Sequence, residues 1–99
     1  MEFNIVLLPK AIIDLEKSIE WYHTINVSLA KQFSTEIEAT IKLISRNPLL
    51  FQNIHGSYKS VNTSTFPFRI IYRIDHNSIV ITAILHHKRN PQRITSRTK

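Results

Sequence analysis

The sequence predicts an α+β fold of order β-α-α-β-β-β, an N-terminal strand followed by an αα-hairpin packed on one face of a mainly antiparallel sheet. Two amphipathic helical patterns fill the first half of the chain, and two strand patterns joined by a tight turn fill the second. Ninety-nine residues suit one domain, 1–99, that buries enough apolar surface to fold alone. No internal repeat or low-complexity tract interrupts it, and residues 94–99 are polar enough to fray.

The elements follow in order. Phe3 to Leu8 reads as a short strand, and Pro9 then suits the first turn of a helix, where its missing N–H has no intrahelical partner. A helix starting near Lys10 carries an apolar stripe of Ile12, Leu15, Ile19 and Tyr22, flanked by Trp21 and Ile25, with Asp14, Glu16, Lys17 and Glu20 assigned to the surface. Trp21 and Tyr22 are read as packing residues. Asn26 and Ser28 mark a short connection, Ser28 being the candidate N-cap. Leu29, Phe33, Ile37, Ile41 and Ile44 then recur at a period close to four, giving a second helix that ends around Arg46 or Asn47, because the residue before Pro48 is pushed out of helical geometry.

From Leu49 to Ser57 the pattern lapses into a connecting loop that holds His55 and the one glycine, Gly56. Tyr58 to Val61 reads as a strand and residues 62–65 as a turn. In the next strand Phe66, Phe68, Ile70, Tyr72 and Ile74 share one face, and Arg69, Ile71 and Arg73 the other. The run Ile79 to Leu85 is nearly all apolar and β-branched, which predicts a central strand buried on both faces. It delivers His86, His87, Lys88 and Arg89 to one strand end. With both helices on one face, the face bearing Arg69 and Arg73 is expected to stay partly open.

Charge is segregated. Residues 1–41 carry three bases against six acids, whereas residues 42–99 carry ten bases and a single acid, Asp75, within a total of +6. Arg69 and Arg73 lie about 13 Å apart at the rise of a strand, a spacing that suits successive phosphates or the carboxylates of an acidic helix. The imbalance points to an anionic partner. A chain without cysteine offers no disulfide framework and no thiolate metal site. Its five histidines show no spacing typical of metal ligands, so neither metal nor cofactor is expected. The N-terminus, with an acid at position 2 and no small-residue cleavage site, makes a poor signal peptide, and no stretch approaches the roughly 20 apolar residues that span a bilayer. A cytoplasmic location without membrane contact is expected.

Four short motifs, IEWY at 19–22, RNP at 46–48, FPFRIIYRI at 66–74 and ILHHKRNP at 84–91, together resemble the RelE/ParE superfamily of toxins from bacterial type II toxin-antitoxin systems. The match covers nearly the whole chain and is closer to the ParE branch, whose members show a strand of this kind followed by HHxRxP. The resemblance implies either a toxin that poisons DNA gyrase by binding or, in the RelE and YoeB manner, a metal-independent ribonuclease acting on ribosome-bound mRNA. A third alternative is a nontoxic basic interaction domain.

For a ribonuclease, His86 or His87 would transfer protons and Arg73 would hold the phosphate, helped by Arg69, Lys88 and Arg89. Nuclease members similar to RelE use a tyrosine near the C-terminus and a lysine-rich patch before the third strand, whereas the last tyrosine here is Tyr72 and that region holds only Lys59. For a toxin that acts by binding, Arg69, Arg73, Lys88, Arg89 and Arg93 are the candidate contacts to target or antitoxin. The implied antitoxin has an acidic C-terminal segment that folds on binding. No helix-turn-helix pattern is present, so direct sequence-specific DNA reading is not expected.

Overall fold

In a computed structural model, which describes residues 3–88, the chain runs β1 (Asn4–Leu7), α1 (Pro9–Ile25), α2 (Val27–Arg46), β2 (Gln52–His55), β3 (Tyr58–Asn62), β4 (Phe68–Asp75) and β5 (Ser78–His86). Arg89, Arg93 and the tail at 94–99 lie outside the described residues. One sheet of order β1-β5-β4-β3-β2 is formed, in which β2 to β5 are an antiparallel meander and β1 pairs parallel with β5. The expected α+β class and the order of strand, two helices and meander are what the structure has, with one strand more than the sequence indicated. That strand, β2, falls inside the segment expected to be a connecting loop. Its residues QNIH carry no apolar alternation because it is an edge strand. Gly56 at φ +56° opens the two-residue turn to β3, a position that suits glycine.

Pro9 opens α1 as expected, but the buried side of that helix differs from the expected stripe. Ala11, Asp14 and Ser18 are buried and Leu15, Ile19 and Tyr22 pack on the core, whereas Ile12, Trp21 and Ile25 are exposed. The face is small and partly polar because α1 lies close against β5. A single residue, Asn26, separates the helices, and its Oδ1 accepts the backbone N–H groups of Ser28 (2.8 Å) and Leu29 (3.4 Å). Asn26 is therefore the N-cap in place of Ser28. The second helix ends at Arg46 before Asn47, as the following proline requires.

Phe33, Ile37 and Ile44 of α2 and Phe68, Ile70 and Tyr72 of β4 meet Ile79, Ile81 and Ile84 of β5 in the main core. Each such buried side chain contributes about 1.5–3 kcal/mol relative to exposure. Phe33 is central, with ring centroids 5.0 Å from Tyr22, 5.3 Å from Phe66 and 4.8 Å from Phe68. Phe66 joins the core from the loop before β4, which begins at Phe68. Glu36 of α2 pins that loop, accepting the backbone N–H groups of Thr65 (2.8 Å) and Phe66 (2.7 Å). Burial alone would raise its pKa, but these bonds and those from the Thr65 and Ser64 side chains outweigh it and hold the carboxyl below its ordinary value.

Candidate functional site

The sequence-predicted residues divide between the two faces of the sheet. Alternation along β4 sends Phe68, Ile70 and Tyr72 to the helices and Arg69, Ile71 and Arg73 to the outer face. On that outer face Arg69 stands between Asn62 of β3 and Leu85 of β5, and Arg73 between Tyr58 and Val80. Between the arginines Ile71 and Ala83 are both 0% exposed and Leu85 is 1% exposed, forming a second apolar cluster to which Ile54 and Tyr58 add. The outer face is thus less open than expected, a pair of half-buried cations flanking an apolar floor. Neither arginine side chain bonds or ion-pairs with any described residue, whereas His76 pairs with Asp75. Arg73 does not reach Glu20 or Glu38, which belong to the helix layer on the other side of the sheet.

A register shift in β5 decides where the histidines go. Ile71 pairs with Ala83 but its neighbour Tyr72 pairs with Ile81, so Thr82 is an extra residue, and its hydroxyl donates to the Ile71 carbonyl (3.2 Å). The bulge reverses the alternation, so that Ile84 joins the helix-side core and Leu85 the outer cluster. His86 follows Ile84, and its ring meets Phe68 edge-on at 5.2 Å. His86 Nδ1 accepts the backbone N–H of Lys88 (3.0 Å), which leaves Nε2 as the protonated nitrogen of the neutral ring. His87 is exposed and its Nε2 meets Asn62 Oδ1 at 3.2 Å, on the side of Arg69.

Two groups result. Arg69, Arg73 and His87 belong to the outer face and its margin, whereas His86 lies on the helix side with Lys88, in a cleft of about 220 Å³ lined also by Ser18, Trp21 and Phe68. Arg73 pairs opposite Val80 and His86 opposite Phe68, so these two are separated along the strand as well as by the sheet itself. The strand offset, five residues at about 3.3 Å each, is roughly 17 Å. Tyr72 is fully buried, its hydroxyl donates to the Pro48 carbonyl (2.7 Å), and burial pushes its pKa up to about 12. Lys59 is also structural, its Nζ donating to the Phe51 carbonyl (3.1 Å) and to Asn53 Oδ1 (2.8 Å), which holds β2 against β3.

Sequence reasoning missed two polar residues near this strand end. Asp14, assigned to the surface, is 5% exposed and its Oδ2 accepts the backbone N–H of Ile84 (3.1 Å), where β5 runs past the end of β1. Trp21, assigned to packing, is 64% exposed at the rim of the cleft. An i, i+3 and i, i+7 reading of α1 from Ala11 that allowed a polar inward position would have found the first; no sequence signal separates an exposed tryptophan from a packed one.

Comparison with known proteins agrees with this architecture. Residues 5–91 match the family model described as the ParE toxin of the type II toxin-antitoxin system parDE. No curated protein matches the chain significantly. Among solved structures, a chain of the chromosomal ParDE TA system from P. aeruginosa superposes with a TM-score of 0.77 at 17% identity, covering 86% of this chain and 96% of its own. The YoeB dimer from Staphylococcus aureus gives 0.60 at 21% identity, with coverage of 88% and 99%. The toxin-antitoxin complex RelBE2 from Mycobacterium tuberculosis gives 0.57 at 21% identity, with coverage of 87% and 99%. At these identities the superpositions speak to the fold.

Proposed function

The chain belongs to the ParE toxin family of type II toxin-antitoxin systems, and from that premise we propose that it arrests growth by binding and poisoning DNA gyrase in the cytoplasm. A toxin of this family has a cognate antitoxin as its partner. The target contacts proposed are Arg69 and Arg73 on the outer face, with Lys88, Arg89 and Arg93 contributing beyond the end of β5. Two half-buried cations on one face suit a protein surface that offers carboxylates, where charge pairing sets register.

The observation that carries the binding mode over RNA cleavage is the separation of Arg73 from His86. Metal-free RNA cleavage needs the proton-transfer group and the phosphate-holding cation within hydrogen-bond reach of one phosphate. His86 and Arg73 occupy opposite faces. His87 shares the margin of the outer face with Arg69, but its Nε2 is taken by Asn62. A tyrosine cannot complete the set from β4, because Tyr72 is buried and held by Pro48. Among the described residues no helix is long and apolar enough to cross a membrane, which fits action on a soluble target.

Induction of the chain without its antitoxin in a bacterial host tests the reading. The expected result is gyrase trapped covalently on cleaved DNA within minutes, with mRNA intact. Cut mRNA without trapped gyrase would replace this reading with the ribonuclease one, and continued growth with neither product would leave a nontoxic interaction domain.

A further inference from the structure

Asp75 is the single acid among residues 42–99, and it stands on the face that carries the arginines. Ile74 packs on the helix-side core, so alternation along β4 sends Arg73 and Asp75 together to the outer face. Two residues along a strand span about 7 Å, well within the length of an arginine side chain. Their neighbours in register, Tyr58 and Val80 beside Arg73 and Ser78 beside Asp75, carry no charge. Opposite charges placed in this way invite pairing, yet Asp75 is turned to a different partner.

That partner is the next residue. His76 Nδ1 lies 2.9 Å from Asp75 Oδ1, and because a carboxylate only accepts, the ring nitrogen is the donor. His76 reaches it from an unusual backbone. Asp75 pairs with Ser78, so His76 and Asn77 form the two-residue turn between β4 and β5. At φ +54° His76 is the only non-glycine residue with positive φ among the described residues. Glycine takes that conformation freely, whereas a β-carbon crowds the following carbonyl oxygen. The His76 side chain is 97% exposed and adds nothing to the core, so packing does not explain why a histidine stands where the backbone favours glycine.

We propose that His76 is a positioning residue, which draws the Asp75 carboxylate toward the turn and so keeps Arg73 from pairing within the chain, available to an anionic surface. That this surface belongs to the toxin's target rests on the gyrase reading above; the hold on Asp75 does not. In His76→Gly the turn gains its favoured residue, and the carboxylate is released to turn back along the strand to Arg73.

The reactivity of the arginines toward p-hydroxyphenylglyoxal tests this in the full-length chain, since a guanidinium held by a carboxylate is protected from the dicarbonyl. Peptide mass spectrometry reads Arg73 and Arg69 separately. Arg69 is the internal control, six residues or about 20 Å along β4 from Asp75. In His76→Gly, Arg73 should react about threefold more slowly than in wild type, the scale of a partly exposed ion pair. Arg69 should keep its rate, and the thermal midpoint should not fall, because glycine suits the turn. Adding Asp75→Asn to His76→Gly should restore the Arg73 rate, a rescue that a merely structural role for His76 would not give.

Equal Arg73 rates in wild type and His76→Gly, slowing of Arg69 along with Arg73, or failure of Asp75→Asn to restore the rate would overturn the proposal. Growth arrest by the same variants speaks to the other reading. Slowed Arg73 with undiminished arrest would remove Arg73 from the target contacts and leave the positioning role in place.

Discussion

The His86 ring packs edge-on against Phe68, with centroids 5.2 Å apart and planes at 79°, on the side of the sheet that the helices cover. Its neighbour His87 points away from that core to Asn62. The adjacent histidines therefore meet different surroundings, and the Nδ1 of the inward one accepts the backbone N–H of Lys88.

Replacing both histidines, as His86→Gln with His87→Gln, should leave growth arrest intact while lowering stability by about 0.5–1.5 kcal/mol through the lost ring contact. Growth on induction and urea unfolding of the purified variant check the two halves. Loss of toxicity in a variant that remains folded would return the histidines to catalysis.

The arginines should behave in the opposite way. Arg69→Glu and Arg73→Glu sit on half-buried positions without partners among the described residues, so each should change stability by only about 0.5 kcal/mol. The pair combined should abolish growth arrest by placing like charges against an acidic target surface. Wild-type toxicity of the folded double variant would remove the outer face from the account.

Much of this architecture was legible in the sequence because its strongest patterns are local. The alternation of Phe68, Ile70 and Tyr72 against Arg69 and Arg73 survives intact, and Ile79 to Leu85 is buried on both faces as its composition indicates. What was not legible depends on contacts distant in sequence. The parallel pairing of β1 with β5 joins residues 4–7 to 78–81, and a polar edge strand such as β2 leaves no period to read. The bulge at Thr82 reverses the alternation of a uniformly apolar run, so the faces of His86 and His87 could not be assigned by counting. The inward position of Asp14 follows from a backbone N–H that only the folded sheet presents, and the exposure of Trp21 from how closely α1 lies on β5.

Removing the Asp14 carboxylate should show how much that N–H matters. Asp14→Ala leaves the Ile84 N–H without its acceptor in a buried setting, at a cost of about 1–3 kcal/mol, whereas Asp14→Asn keeps an acceptor oxygen and should cost less. Denaturant midpoints of the two variants provide the comparison. Equal midpoints would mean that water reaches Ile84.

Glu36 should make stability depend on acid. Its folded-state pKa lies below the ordinary 4.5, so its ionised contacts contribute fully above that value and are lost as pH falls through the folded pKa. Wild type and Glu36→Gln should therefore differ near neutrality, where the carboxylate receives the Thr65 and Phe66 N–H groups, and converge once the pH has fallen through the lowered folded-state pKa. Thermal unfolding across this range measures the convergence; a constant difference would mean that the charge does not matter to the loop.

Incubation of the purified chain with gyrase, supercoiled plasmid and ATP, followed by detergent and protease, tests the central claim most directly. The account predicts linear DNA bearing gyrase adducts with the wild-type chain and with the double histidine variant, and none with Arg69→Glu combined with Arg73→Glu. Absence of linear DNA with a wild-type chain that arrests growth would contradict it.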